Sequence, residues 1–263
     1  MYSFDLKKAG SVANAAALLA QTGGRPLAGG QSLIASMKLR LSQPGTLVDL
    51  SGVPELKGIR SEGGHLVIGA MVRHAEVAAS AEVKAAIPAL AALADGIGDR
   101  QVRNMGTLGG AIANNDPAAC YPAAVLGLNA IVHTSTRRIA ADDFFRGLYE
   151  TALADGEIVT AVSFPVPARA GYAKFVQPAS RFALVGVFVA QTAGGVRVAV
   201  TGAGSCVFRC KPLEDALGRS FTADAAKGVQ VSAAGLNSDL HGSAEYRAHL
   251  IPVMAARAVT AAG

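Results

Sequence analysis

Tryptophan is absent from this chain of 263 residues, cysteine occurs three times, histidine five times, and 16% of the residues are charged. Each shortage excludes something. Cys120, Cys206 and Cys210 are too few for a disulfide framework or for the four thiolates of an ordinary iron–sulfur cluster. Cys206 and Cys210 lie close together, yet no further cysteine or nearby histidine completes a tetrahedral zinc site. The three are expected as reduced, mostly buried thiols, and any iron of the system as the property of another chain. Lys and Arg outnumber Asp and Glu, 24 to 19, but no basic run is longer than the pairs Arg137-Arg138 and Lys7-Lys8. With five Tyr and nine Phe there are few rings to stack bases, so nucleic acid is not an expected partner. No uncharged apolar run approaches the roughly 18 residues of a membrane span. The opening Met1-Tyr2-Ser3-Phe4-Asp5-Leu6-Lys7-Lys8 puts charge where a secretory leader needs its apolar region, and the expected location is cytoplasmic.

What the chain does have is 51% hydrophobic residues and 30 glycines. A chain of this mass buries about 70% of its unfolded surface, enough for one large domain or two to three small ones. Ser11 suits the cap of a helix over Ala13–Ala20, ended by Gly23-Gly24. A short strand over Arg25–Ala28 follows, then helix formers over Leu33–Leu41. Strands are predicted at Thr46–Leu50, His65–Gly69, Asn129–His133 and Glu157–Phe164, with an Ala-rich helix over 82–95 bent near Pro88. Gly96–Asp116 has no sustained helical period and reads as loop, and Asp116-Pro117 as a helix start. Pro165 and Pro167 mark a domain junction. Beyond them Leu184–Val189 and Val196–Val200 flank Gly194-Gly195 as a hairpin, with helices at Leu213–Leu217 and Ser243–Thr260. Few clean βαβ repeats occur, so the class is α+β.

The candidate chemistry sits in two glycine loops. Ala28-Gly29-Gly30-Gln31-Ser32-Leu33 follows a strand, and glycine there permits positive φ and close approach of a ligand to the backbone. Successive N–H groups form an anion nest, and Ser32 adds a hydroxyl. Gly106-Thr107-Leu108-Gly109-Gly110-Ala111 repeats these ingredients. Facing one another, two such loops suit a diphosphate; taken singly, each is equally consistent with a plain turn. Gly202-Ala203-Gly204 is a different matter, because Val207 stands where a dinucleotide fingerprint needs its third glycine, and it reads as a strand-end turn. No Gly-Lys-Ser or Gly-Lys-Thr of a P-loop is present. His65, His74, His133, His241 and His249 have no motif context and read as structural or surface residues.

In their settings the two loops resemble the FAD-binding medium subunit of the molybdenum hydroxylases, the group of aerobic carbon monoxide dehydrogenase and the xanthine dehydrogenases. The stretches that carry the resemblance are Leu27–Leu33 with Met37-Lys38-Leu39-Arg40, Gln101–Asn104, Gly106–Gly110, Ala113–Pro117, and the helix start Ser243-Ala244-Glu245-Tyr246-Arg247. It spans nearly the whole chain in order. It implies an FAD-binding region of two α+β subdomains, 1–55 and 56–167, of the vanillyl-alcohol-oxidase (PCMH-like) type. A C-terminal domain, 168–263, with a three-stranded antiparallel sheet and helices would follow.

The implied task is electron relay. A large partner subunit with a molybdenum cofactor hydroxylates a substrate, and a small partner with two [2Fe-2S] clusters hands electrons to FAD in this chain. The assembly implied is a dimer of heterotrimers. By position, Pro26, Leu27, Ala28, Gly29, Gly30, Gln31, Ser32 and Leu33, with Thr107, Gly109, Gly110 and Ala111, would hold the diphosphate and ribityl chain. Ile97, Cys120, Val159 and Lys174 would border the flavin, Lys174 supplying a cation beside the reduced ring; Asp116 would either cap the helix after it or contact the cofactor directly. No residue is expected to act as a catalytic nucleophile or metal ligand. Two positions depart from the family: Cys120 replaces an acid and Ala111 a polar residue, which implies weaker FAD binding or a shifted flavin potential. A flavin-poor scaffold subunit and a free-standing FAD oxidase are the alternatives.

Overall fold

A computed structural model describes residues 1–263 and builds them around three main sheets. The first uses β1 (Asp5–Lys8), α1 (Val12–Thr22), β2 (Arg25–Leu27), α2 (Leu33–Lys38) and β3 (Thr46–Asp49), with strands in the order β1-β3-β2 and all parallel. Parallel neighbours need a crossover, which the two helices provide. Ser11 caps α1 by accepting the Asn14 N–H, and Gly23 closes it in the left-handed conformation, both as predicted. α2 stops at Lys38, short of the predicted Leu41, because Arg40 takes φ 61°.

The second unit runs through β4 (Ile59–Glu62), β5 (His65–Gly69), α3 (His74–Ala79), α4 (Ala81–Ala86), α5 (Pro88–Asp95), α6 (Arg100–Met105), α7 (Leu108–Asn114) and α8 (Tyr121–Gly127). It continues through β6 (Ile131–Thr134), β7 (Arg138–Ala140), α9 (Ala141–Phe144), β8 (Phe145–Gly147), β9 (Glu150–Thr151) and β10 (Val159–Pro165). Its antiparallel sheet has the order β4-β5-β10-β6-β7. Pro88 divides the predicted helix over 82–95 outright, with Ile87 in neither half. Gly96–Asp116 is not loop throughout, since Asp99 and Thr107 cap the short helices α6 and α7. Nor does Asp116-Pro117 start a helix. Asp116 Oδ1 accepts the Ala118 N–H at 2.9 Å to make a turn, and α8 begins at Tyr121.

The C-terminal unit holds β11 (Arg169–Val176), β12 (Ala183–Thr192), β13 (Gly195–Thr201), β14 (Phe208–Arg209), α10 (Lys211–Arg219), α11 (Ala223–Lys227) and α12 (Ala244–Ala261). Its antiparallel sheet has four strands, not three, in the order β11-β12-β13-β14. After the turn at Gly202–Gly204 the chain returns along β13, pairing Phe208 with Val200 and Arg209 with Ala199. Both faces of β12 are buried. Val185, Val187 and Val189 pack with Leu250, Met254 and Val259 of α12, whereas Phe188 and Ala190 join the core around α8. Each such side chain contributes about 1.5–3 kcal/mol by burial. The sheet is thus clamped between α12 and the second unit. Polar contacts repeat the join: Arg197 Nε donates to Leu126 O at 3.0 Å, and Gly202 N–H to Pro117 O at 2.7 Å.

Candidate functional site

β2 ends at Leu27 and the chain turns at once into α2. Gly30 makes the turn with φ 71°, a region open to glycine. A Cβ on Gly29 would strike the Met105 carbonyl and stand 2.7 Å from Gly106 Cα, so only glycine lets this loop lie on the second one. From the other side, a Cβ on Gly110 would sit 3.5 Å from that of Ala28. The two loops, far apart in sequence, are in contact.

Their donors differ, however. No acceptor in the protein receives the N–H groups of Ala28, Gly29, Gly30, Gln31, Ser32 or Leu33, an uninterrupted run. In the second loop the protein uses its own donors. Leu108 N–H goes to Val72 O at 3.0 Å, Gly109 N–H to Ala70 O at 2.8 Å, and Ala111 N–H to Thr107 O at 3.0 Å. Gly110 N–H goes to Thr107 Oγ1 at 3.2 Å, leaving the Thr107 N–H and hydroxyl proton. The first loop is an open nest; the second is a capped helix start docked on the end of β5.

The loops open onto a cavity of about 790 Å³, within the range of small-molecule and cofactor sites. All the residues expected at a site line it: Pro26–Leu33, Ile97, Thr107, Gly109, Gly110, Ala111, Asp116, Cys120, Val159 and Lys174. Lys174 reaches in from β11, its Nζ donating to Gly96 O at 2.7 Å and Arg181 O at 2.9 Å, with Cys120 Sγ at 3.5 Å. Asp116 does not cap α8, and its second carboxylate oxygen accepts the Tyr149 hydroxyl at 3.3 Å. Asn115, buried at the end of α7, holds the β8–β9 hairpin that carries Tyr149, donating to Gly147 O and Glu150 O, each at 2.8 Å.

Several wall residues were not foreseen, namely His74, Tyr121, Tyr149, Arg181 and Phe182. His74 is buried, its ring tilted against Tyr121 at 5.3 Å, and its Nδ1 has no partner. Burial, helped by the nearby Arg103 charge, lowers its pKa to about 4. The wall over 153–158 is fixed by Glu157. Its carboxylate pairs with Arg137 at 2.9 Å and also accepts from Thr134, Thr136 and the Ala154 N–H. The Arg137 hydrogen bond holds that carboxyl far below the usual carboxylate range. No sequence motif marks these residues, because they converge only through the sheets.

The residues present fit a flavin dinucleotide. A run of donors without acceptors matches a diphosphate, the Gly29 approach closes the cradle, and Ile97 and Val159 offer apolar sides in the cavity that the Lys174 cation also lines. Groups of three or more His, Cys, Asp or Glu that could hold a metal ion are absent. No helix is long and apolar enough to cross a membrane.

Comparison with known proteins agrees with this geometry. Residues 2–167 match the family described as FAD binding domain in molybdopterin dehydrogenase. The nicotine 6-hydroxylase medium subunit of Paenarthrobacter nicotinovorans is 38% identical over 251 residues, covering 90% of this chain and 89% of that one. The carbon monoxide dehydrogenase medium chain of Hydrogenophaga pseudoflava is 35% identical over 277 residues, covering 98% and 96%. Among solved structures, carbon monoxide dehydrogenase from H. pseudoflava, in a form lacking the Mo-pyranopterin moiety, superposes with a TM-score of 0.89 at 36% identity, covering 99% of this chain and 97% of that one. Quinoline 2-oxidoreductase from Pseudomonas putida 86 gives 0.89 at 30% identity, covering 99% and 97%. The chain belongs to the family of FAD-binding medium subunits of molybdenum hydroxylases.

Proposed function

We propose that the protein is the flavoprotein subunit of a molybdenum hydroxylase complex, receiving electrons from the [2Fe-2S] clusters of a small partner subunit onto FAD and passing them to an external acceptor. A large partner subunit with the molybdenum cofactor carries out the hydroxylation. FAD, when bound, supplies the exchange of electrons between one-electron and two-electron partners. The chain's own residues bind and orient. The free N–H groups of Ala28–Leu33, with Ser32 and Thr107, grip the diphosphate, while Pro26, Leu27, Gln31, Gly109, Gly110 and Ala111 shape the channel beside it. Ile97 and Val159 flank the ring and exclude water. Lys174 favours negative charge there, and Asp116 and Cys120 close that end. The units 1–55, 56–167 and 168–263 serve as two FAD-binding subdomains and a docking domain, a division favoured by one main sheet in each. Assembly as a dimer of heterotrimers in the cytoplasm completes the proposal.

The carrying observation is the unpartnered donor run of Ala28–Leu33 pressed against the second loop at one cavity. The purified chain, loaded with FAD and desalted, is expected to retain a visible flavin spectrum. Gly29→Val, whose side chain collides with the Met105 carbonyl, is expected to lose most of it at unchanged far-UV circular dichroism. Equal retention by the two proteins, or none by either, overturns the proposal.

A further inference from the structure

One corner of the cavity gathers two buried hydroxyls without a partner and an ammonium that, beyond its bonds to Gly96 O and Arg181 O, faces a thiol. Cys120 lines it with its side chain all but buried, at 5% exposure. The Lys174 ammonium stands 3.5 Å from its sulfur. Tyr172, two residues earlier on β11 and so on the same face of the strand, has a buried hydroxyl without a partner, and its burial, with Cys120 adding to the effect, pushes that hydroxyl's pKa up. The Tyr121 hydroxyl, next along the chain, is buried and unpartnered as well. A thiol is a weak acceptor, whereas buried hydroxyls are ordinarily hydrogen-bonded. An oxygen on the sulfur would offer the Lys174 ammonium a stronger acceptor than the thiol does, in a corner with unpartnered hydroxyls.

We propose that Cys120 is an oxidative modification site, at which hydrogen peroxide converts the thiol to a sulfenic acid whose oxygen takes hydrogen bonds from Lys174 and Tyr172. The sulfur attacks one peroxide oxygen; the S–O bond forms as the O–O bond breaks. Sulfur gives up two electrons to the peroxide, and the departing hydroxide leaves with the thiol proton as water. The cavity admits a molecule of this size to the sulfur, and the ammonium stabilises the charge that develops on oxygen. The other thiols lack this setting. Cys210 packs in the core with α12, and Cys206 has only the Val207 carbonyl as a hydrogen-bond partner. Burial pushes both of those thiols up. Cys206 is nonetheless the more exposed of the three, so exposure and donor chemistry point to different residues.

The full-length protein, treated with dilute hydrogen peroxide in the presence of dimedone, reports the rate at each cysteine by peptide mass spectrometry. Cys120 is expected to be labelled about tenfold faster than Cys206, the effect of one charge-assisted hydrogen bond. Lys174→Met is expected to remove that advantage and leave the Cys206 rate unchanged, and Tyr172→Phe to reduce it in part. Faster labelling at Cys206 than at Cys120 in the wild type overturns the proposal, as does an equal Cys120 rate in wild type and Lys174→Met. Should Cys206 accelerate in Lys174→Met, the fold has opened, and Lys174→Arg decides. A fast Cys120 rate in that variant supports the proposal, and a slow one overturns it.

Discussion

His74 shows what a single residue contributes to this cavity and why no pattern announces it. Its backbone N–H donates to Gly106 O at 3.0 Å, which ties the start of α3 to the second glycine loop. Its ring is buried beside Tyr121 with Nδ1 unpaired, and burial lowers its pKa from 6.5 to about 4. A histidine that is hard to protonate in the folded state but easy in the unfolded one has a definite sign in acid. Between pH 6.5 and about 4 the unfolded chain binds the extra proton, so stability falls as pH falls through that window. The loss amounts to about 3 kcal/mol by pH 4. In His74→Gln this part of the pH dependence is expected to vanish, read as urea midpoints from pH 7 to pH 4. A slope equal to that of the wild type would show that the imidazole titrates freely.

Among the elements, α12 is the one whose first turn organises its neighbours. Ser243 caps it by accepting the Tyr246 N–H, and Arg247 is buried at 3% exposure. The guanidinium donates to Leu184 O at 2.9 Å and Gly202 O at 2.8 Å while gripping Asp239 with two bonds. Removing it strands two carbonyls and a carboxylate. Arg247→Ala is therefore expected to cost about 3 kcal/mol in urea unfolding. Arg247→Lys should recover only part, since an ammonium cannot reproduce the fork.

Elements of this kind were legible wherever the deciding chemistry is local. Ser11 and Gly23 bound α1, Ser243 opens α12, and Gly194-Gly195 closes the β12–β13 hairpin, all from neighbours a few residues away. α6 and α7, with six and seven residues, are too short to show a helical period, and β14 pairs through only two residues. The unequal state of the glycine loops was hidden for another reason. Whether Leu108 and Gly109 keep free N–H groups is decided by the carbonyls of Val72 and Ala70, more than thirty residues away in the chain. The residues that the family signature named line one cavity, while the donors each of them still has to offer emerged only from the fold.

At the scale of the molecule the cavity lies where the three sheets meet, so a ligand that fills it bears on all three. β2 presents the open nest, α7 and the turn before α8 form the facing wall, and β11 delivers Lys174. The turn over 117–119 is itself held by the C-terminal sheet, with the Thr201 hydroxyl 2.7 Å from Ala119 O and the Gly202 N–H bonded to Pro117 O. Amide hydrogen exchange separates the contributions. In the free chain the N–H groups of 28–33 have no acceptor and are expected to exchange fast, whereas those of 108–111 are bonded and already slow. Saturating FAD, at about a hundred times its Kd, stabilises the folded state by about 2.7 kcal/mol. Its local mark should be uneven: strong new protection over 28–33, smaller gains at 116–120 and 174, and almost none over 108–111. Equal protection of both loops would mean that the second loop gives up its bonds to Ala70 and Val72, just after β5, to take the ligand. Protection confined to 108–111 would place the diphosphate away from the nest altogether.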